Sequence, residues 1–323
     1  MKSRALVLSL LATLLIWPAA SPAEQRNPVL PLTLPSLQWA LEIGAPGFVV
    51  EKRTLGPWGD SIYLFASNKD THVIISAFLE EAPRKFTSRD CRDFYWNATK
   101  KTPLKKEQVE MYDSGNMAVV EYMVPTFQGR ETNQKNLFAY VARDHYWGYI
   151  HLSKIRFVPG EEGLFKQILD STRFNESYQP TAPDLLEYGN LSLFRKEYPG
   201  AISYYRKALD LDKHRKMLGR QEWITLVDQL GMAYELSGDF VKAKETYEWA
   251  ISREPEYPMF FYNLACAYAE MGRMDDALRS LRLAYKYKAK ILADQRFPDP
   301  RSDSSFRKYL DNKIFMAELQ KME

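Results

Sequence analysis

Residues 229–255 read QLGMAYELSGDFVKAKETYEWAISREP. With Val227 just before them, Leu230, Gly231 and Tyr234 precede Ala243, Tyr247, Ala250 and Pro255, and Gly238 stands between the two groups. Moving on 34 residues, Phe261, Leu264, Ala265, Tyr268, Ala277, Leu281 and Ala284 fill the same slots, and Gly272 keeps the register of Gly238. A weaker copy lies upstream in Leu185, Tyr188, Gly189, Ala201, Tyr205 and Ala208, with Ser192 where an aromatic is expected. Ala201 precedes Ala243 by 42 residues, so one extra helical turn or a longer loop, around HRKMLGRQ, separates these copies. Each copy reads as two helices that cross closely. Gly231 or Ala265 on the first helix and Ala243 or Ala277 on the second leave room for large neighbours such as Tyr234 and Tyr247. One such unit cannot bury its apolar face alone, so the copies must stack.

These residues follow the tetratricopeptide spacing, and the segment from about 182 to 291 resembles that repeat family. The resemblance implies an all-α domain of three repeats over 179–291. Residues 292–323 then read as a capping segment: ADQRFPDPRSD carries two prolines, and SFRKYLDNKIFMAELQKM restores helical spacing through Phe306, Leu310, Ile314 or Phe315, and Leu319.

Residues 24–178 have a different character. SIYLFASN, THVIISAFL, MAVVEYMV and NLFAYVA are short, rich in β-branched and aromatic residues, and bounded by turn formers, so they read as strands. NLFAYVARDHYWGYIHLSKIRF reads as a hairpin that turns near Arg143, Asp144 and His145. TSRDCRDFYWNATKK, with Thr87 or Ser88 as N-cap, and EEGLFKQILDSTRF read as helices. The expected fold is an α+β domain on a largely antiparallel sheet, followed by the all-α repeat domain. With GAPGFVVEK at its start and a closing helix leading into STRF, the N-terminal domain resembles the PsbP and Mog1-like sandwich, a resemblance that implies the fold and no functional residue.

With 323 residues, 46% of them hydrophobic, the chain can bury the cores of two domains. MKSRALVLSLLATLLIWPAASPA, residues 1–23, has the basic start, apolar run and small-residue end of a secretory signal peptide, with cleavage expected after Ala23 and an uncleaved anchor as the alternative. The mature chain is therefore expected to be exported, periplasmic or secreted in a bacterium, with no integral membrane span. Removing Lys2 and Arg4 from the 44 basic residues leaves 42 against 41 acidic ones, which gives no footprint for nucleic acid. Cys91 and Cys266 read as small buried hydrophobes rather than a disulfide framework.

No catalytic, cofactor-binding or metal residue emerges. His72, His145, His151 and His214 belong to no metal or triad motif, and six residues of extended strand hold His145 and His151 about 20 Å apart. Function is expected to come from shape, in the concave groove that the tetratricopeptide resemblance implies. By that register the groove is lined by Leu186, Glu187, Asn190 and Leu193 in copy one; by Asp228, Gln229, Met232 and Glu235 in copy two; and by Tyr262, Asn263 and Glu270 in copy three. These positions hold no lysine, which excludes the carboxylate clamp that some members of the family use. The groove is apolar with acidic edges, complementary to a protein or peptide partner with apolar and basic residues. The chain is expected to be a non-enzymatic adaptor or scaffold. The alternative is a ligand-binding or hydrolytic N-terminal domain, with the repeats as a docking or oligomerisation module.

Overall fold

A computed structural model of the chain describes residues 29–293 and 295–322, so the expected signal peptide lies outside the described residues. The N-terminal half contains β1 (Val29–Leu32), β2 (Ala40–Gly44), β3 (Val49–Leu55), β4 (Ser61–Ser67), β5 (Ile74–Glu81), α1 (Ser88–Thr99), β6 (Glu107–Ser114), β7 (Met117–Phe127), β8 (Arg130–Arg143), β9 (Tyr146–Lys154), α2 (Glu162–Asp170) and β10 (Arg173–Asn175). The strands form two antiparallel sheets, one of order β1-β2-β10 and one of order β3-β4-β5-β9-β8-β7-β6.

Alternation along the strands decides which face of the large sheet meets the small one. Ile62, Leu64 and Ala66 of β4 lie opposite Leu79, Ala77 and Ile75 of β5, all buried, while Tyr63, Phe65 and Phe78 point the other way. With Leu137 and Val141 of β8 and Ile150 and Leu152 of β9, they pack against Leu30, Leu41 and Ile43 of the small sheet and Phe165, Ile168 and Leu169 of α2. The opposite face is covered over β7, β8 and β9 by α1, which begins at a reciprocal cap between Thr87 and Asp90 and buries Cys91 beside Tyr140 and Trp147. Both cysteines are reduced and buried.

Six helices follow: α3 (Ala182–Phe194), α4 (Tyr198–Arg215), α5 (Arg220–Leu236), α6 (Phe240–Arg253), α7 (Pro258–Glu270) and α8 (Met274–Lys286). They pair as α3–α4, α5–α6 and α7–α8, and α3, α5 and α7 lie side by side. Each pair closes on a small residue. A Cβ at Gly189 would overlap the Tyr205 ring, and one at Gly231 would overlap the Tyr247 ring. The extra residues between copies one and two lengthen α4 to 18 residues, against 14 in α6 and 13 in α8.

The C-terminal segment does not form the single helix that its spacing suggests. It makes a 3-10 turn at Ser304–Tyr309, and α9 (Lys313–Met322) then restarts on Asn312, whose side chain accepts from the backbone nitrogens of Ile314 and Phe315. Asn312 competes with helix continuation by offering its own oxygen to those donors. Phe306, Phe315 and Leu319 are buried against α7 and α8, whereas Ile314 is 67% exposed. The 3-10 turn thus takes the place beside α7 that another repeat would occupy, and it caps the stack. Among the described residues no helix is long and apolar enough to cross a membrane.

The two halves meet at β3. Leu55 packs against the cores of both. Arg53 forms an ion pair with Asp184 of α3 at 2.5 Å and reaches Glu187 at 3.6 Å.

Candidate protein-binding groove

The side-by-side helices α3, α5 and α7 place the expected groove residues on three neighbouring rails, but those residues differ in availability. On α3, Leu186 is buried in the helical core and Leu193 packs half-buried against it. Asn190 is exposed and accepts a hydrogen bond from the Tyr205 hydroxyl at 2.8 Å. Glu187 is turned toward Arg53, so this end of the groove is closed by the N-terminal domain. Burial raises the Glu187 carboxyl above its usual range despite that arginine. Asp184 behaves oppositely: burial would raise it, but Arg53, Tyr178 and Thr181 hold it below the ordinary carboxylate value.

On α7, Tyr262 is 2% exposed because the capping segment covers it. Its hydroxyl donates to Asp303 at 3.1 Å, and its ring meets Phe297 and Phe306 edge-on. Tyr262 and Leu186 therefore build the walls of the groove from behind and do not face a partner. Glu270 is exposed at the end of α7, where its backbone carbonyl accepts from Lys308 at 3.3 Å.

The middle rail is the open one. Gln229 and Met232 of α5 are half-buried, with the half-buried Asp228 and Glu235 on the same helix. Asp228 accepts a hydrogen bond from the Asn263 amide of α7. Burial pushes Asp228 up to about 6, the Asn263 bond offsetting part of that rise. Burial and the neighbouring charges of Asp228, Asp303 and Glu270 push Glu235 up to about 8. Sequence reasoning found both acids from their spacing. It missed Asp303, which reaches the site from the capping segment across 41 residues of chain to Tyr262.

A hollow of about 520 Å³ lies among α4, α5 and α6, beside the lengthened α4. Trp223 and Trp249 line it, with Arg253 over both rings, and its charged lining is of both signs, Arg206, Lys213 and Lys242 with Asp210, Asp212 and Glu245.

In the N-terminal domain, His145 lies in the two-residue turn between β8 and β9, as the sequence suggests, and His151 is buried within β9. His151 stacks on Phe138 with ring centroids 4.0 Å apart, its Nε2 is 3.0 Å from Asn136 Oδ1, and its Nδ1 is 3.3 Å from Ser76 Oγ. Burial drops it to about 3, so the ring is neutral at ordinary pH. The two histidines do not converge, and among the described residues no group of three His, Cys, Asp or Glu side chains could hold a metal ion.

The tetratricopeptide repeat family model matches residues 226–257 and 260–291. This chain carries tetratricopeptide repeats. The α3–α4 pair lies outside the match, yet repeats the Gly–Tyr closure of α5–α6. Tetratricopeptide repeats are protein-interaction modules whose stacked helices present an extended concave binding surface. Solved structures similar to part of the chain include MamA (23% identity over 35% of this chain and 62% of that one, TM-score 0.31). The chain thus spans less than two thirds of MamA. Others are the type III secretion translocator chaperone SycD of Yersinia enterocolitica (17% identity, 46% of this chain and 96% of that one, TM-score 0.31) and the C-terminal repeat domain of a Plasmodium falciparum protein described as FK506-binding (19% identity, 44% and 89%, TM-score 0.32). At these scores the likenesses carry no argument about function. No curated protein matches the chain. None of these comparisons supports the PsbP and Mog1-like resemblance of the N-terminal domain.

Proposed function

We propose that the protein is an exported, non-enzymatic adaptor that holds a segment of another protein against the concave face of α5. The observation that supports this reading is the α5 rail, where Gln229 and Met232 remain partly accessible beside the carboxyl groups of Asp228 and Glu235 while Leu186 and Tyr262 on the outer rails are buried. A partner segment that inserts an apolar side chain beside Met232 and presents basic groups to Asp228 and Glu235 complements this surface in shape and sign. The N-terminal domain is docked on α3 through Arg53 and Leu55, and it fixes the orientation of the rails. Export rests on the character of residues 1–23, and a mature chain that begins at Glu24 is its expected signature in mass spectrometry. The adaptor reading is tested by Met232→Arg in the full chain: partner capture from the native compartment should fall while the thermal midpoint stays within experimental error. Equal capture by both forms would move the binding surface away from α5.

A further inference from the structure

Trp223 and Trp249 line the hollow among α4, α5 and α6 with donors to spare. Trp223 is only 9% exposed, yet its contacts are with rings and a cation: Trp249 at 5.5 Å, Phe260 edge-on at 6.3 Å and the Arg253 guanidinium at 5.7 Å. Among the described residues neither indole N–H has a hydrogen-bond partner, which is unusual for a polar group so well covered. The third copy shows how such a slot is filled. Tyr257 stands there in place of Trp223, and its hydroxyl donates to Gln295 Oε1 at 2.5 Å, in an irregular stretch whose Leu292 packs on the same core. Leu283 and Tyr287 replace Trp249 and Arg253 in that copy, so the paired tryptophans are a feature of the second. The charges of the hollow are ordered as well. On α4 they run Arg206, Asp210, Lys213 and on α6 Lys242, Glu245, Arg253, so both walls read base, acid, base. At about 1.5 Å per residue these sets span about 10 and 16 Å. Lys242 lies over Tyr234 and Arg253 over Trp223, so α5 floors the hollow from end to end. Lys242 is paired with Asp239, and Asp212 accepts from the Leu218 nitrogen. Arg206, Asp210, Lys213, Glu245 and Arg253 have no ion-pair partner among the described residues.

We propose that this hollow holds an extended, proline-containing segment of a second protein partner, with acidic residues at its ends and basic residues between them. Charge complementarity sets the order: the outer carboxylates meet the bases at either end of the walls, and the central ammonium groups meet Asp210 and Glu245. A polyproline II segment has three residues per turn and rises about 3.1 Å per residue. Six residues in the order Glu-Pro-Lys-Lys-Pro-Glu therefore reach about 16 Å, the length of the longer wall, and turn both prolines to the floor and the charges to the two walls. One proline ring lies on Trp223 and Trp249, the other on Leu230 and Tyr234. Proline brings no N–H that burial would orphan, and the carbonyl groups of the segment accept from the two indoles. The hollow shares no residue with the α5 rail, so this site is separate from the adaptor groove.

The probe is that hexapeptide, acetylated and amidated, with the charge-inverted Lys-Pro-Glu-Glu-Pro-Lys and the proline-free Glu-Ala-Lys-Lys-Ala-Glu as counterparts. Proton–nitrogen spectra of the full chain labelled at tryptophan read the indole N–H groups directly, and Trp223→Phe and Trp249→Phe assign the two in the hollow. Both indole protons should move downfield and saturate as the first peptide is added, and each counterpart should bind at least about tenfold more weakly. Arg253→Gln, at an exposed position, should keep the circular dichroism of the parent and bind about tenfold more weakly, because it removes a charged partner of the carboxylate. Met232→Arg, on the α5 rail, should bind the peptide as the parent does. The proposal is overturned if the indole protons stay in place, if the inverted peptide binds equally, or if Arg253→Gln keeps its affinity. Equal binding of the alanine peptide would point to a helical occupant and overturn it too, and loss of binding in Met232→Arg would show that the two sites are one.

Discussion

The pairing of Gly231 with Tyr247 offers a stringent check on the repeat packing, because two physical effects of known sign oppose each other there. Gly231→Ala in the middle of α5 removes a poor helix former and should by itself stabilise the protein by about 1 kcal/mol. The added Cβ would overlap Cζ, Cε1 and the hydroxyl oxygen of Tyr247, a ring that is 0% exposed and cannot swing aside. Overpacking of a filled core costs about 1–3 kcal/mol, and a rigid ring at so close an approach belongs in the upper half of that range. The net expectation is a loss of about 1–2 kcal/mol. The next repeat shows how the conflict is resolved naturally: 34 residues on, the slots hold Ala265 and Leu281, both fully buried in one cluster. Gly231→Ala combined with Tyr247→Leu transplants that pair and should recover about 1–2 kcal/mol relative to the sum of the single variants. Urea unfolding of the full chain followed by helical circular dichroism measures all four corners of the cycle. A Gly231→Ala variant that is more stable than the parent, with no coupling to Tyr247→Leu, would show that helix propensity alone governs this position and that the close crossing is not real.

Two further outcomes follow from buried charges. Arg53→Ala leaves Asp184, fully buried, without its cation, and should cost about 3 kcal/mol, the low end for a broken buried pair because Thr181 and Tyr178 still donate to the carboxylate. It should also speed proteolytic separation of the two domains in the stretch NESYQPTAPD, and an unchanged cutting rate would mean that the pair does not hold them together. His151 has its folded-state value depressed from 6.5 to about 3, so the unfolded chain binds a proton over that interval and the folded one does not. Its contribution is complete above pH 6.5 and is lost as pH falls toward 3, at up to about 1.4 kcal/mol per pH unit. His151→Gln should flatten the stability–pH curve by that amount between pH 6 and 4, and identical curves would place His151 in a solvated site.

The repeats were legible because their constraint is local. A small residue and a ring must meet at fixed helical spacing, so Gly189, Gly231, Ala265 and their partners announce themselves in the sequence. Strands β4, β5, β7, β8 and β9 were legible for a similar reason, since each alternates or runs apolar against a core. The missed strands lack that signal. β3 and β6 are the two edges of the large sheet and carry mostly exposed polar residues, while β1, β2 and β10 are short pieces held by tertiary pairing. In the groove, spacing located the α5 residues but could not reveal what covers the outer rails. Arg53 comes from another domain, and Asp303 and Phe306 come from a cap whose helix breaks at Asn312. The same limit applies to the acidic edges of the groove. Asp228 and Glu235 look like solvated acids in sequence, but both are half-buried, and lysine at 228 would orphan the Asn263 amide and cost stability as well as binding.

Site-specific photo-crosslinking tests the adaptor claim most directly. A photoreactive residue placed at Gln229, at Met232, or at Arg253 samples the α5 rail and the tryptophan-lined hollow in turn, in the intact protein in its native compartment. The account predicts a common crosslinked protein from positions 229 and 232, weakened by Glu235→Gln, and none of it from position 253. Crosslinks from position 253 alone would place the partner in the tryptophan-lined hollow and contradict the α5 rail as the binding surface.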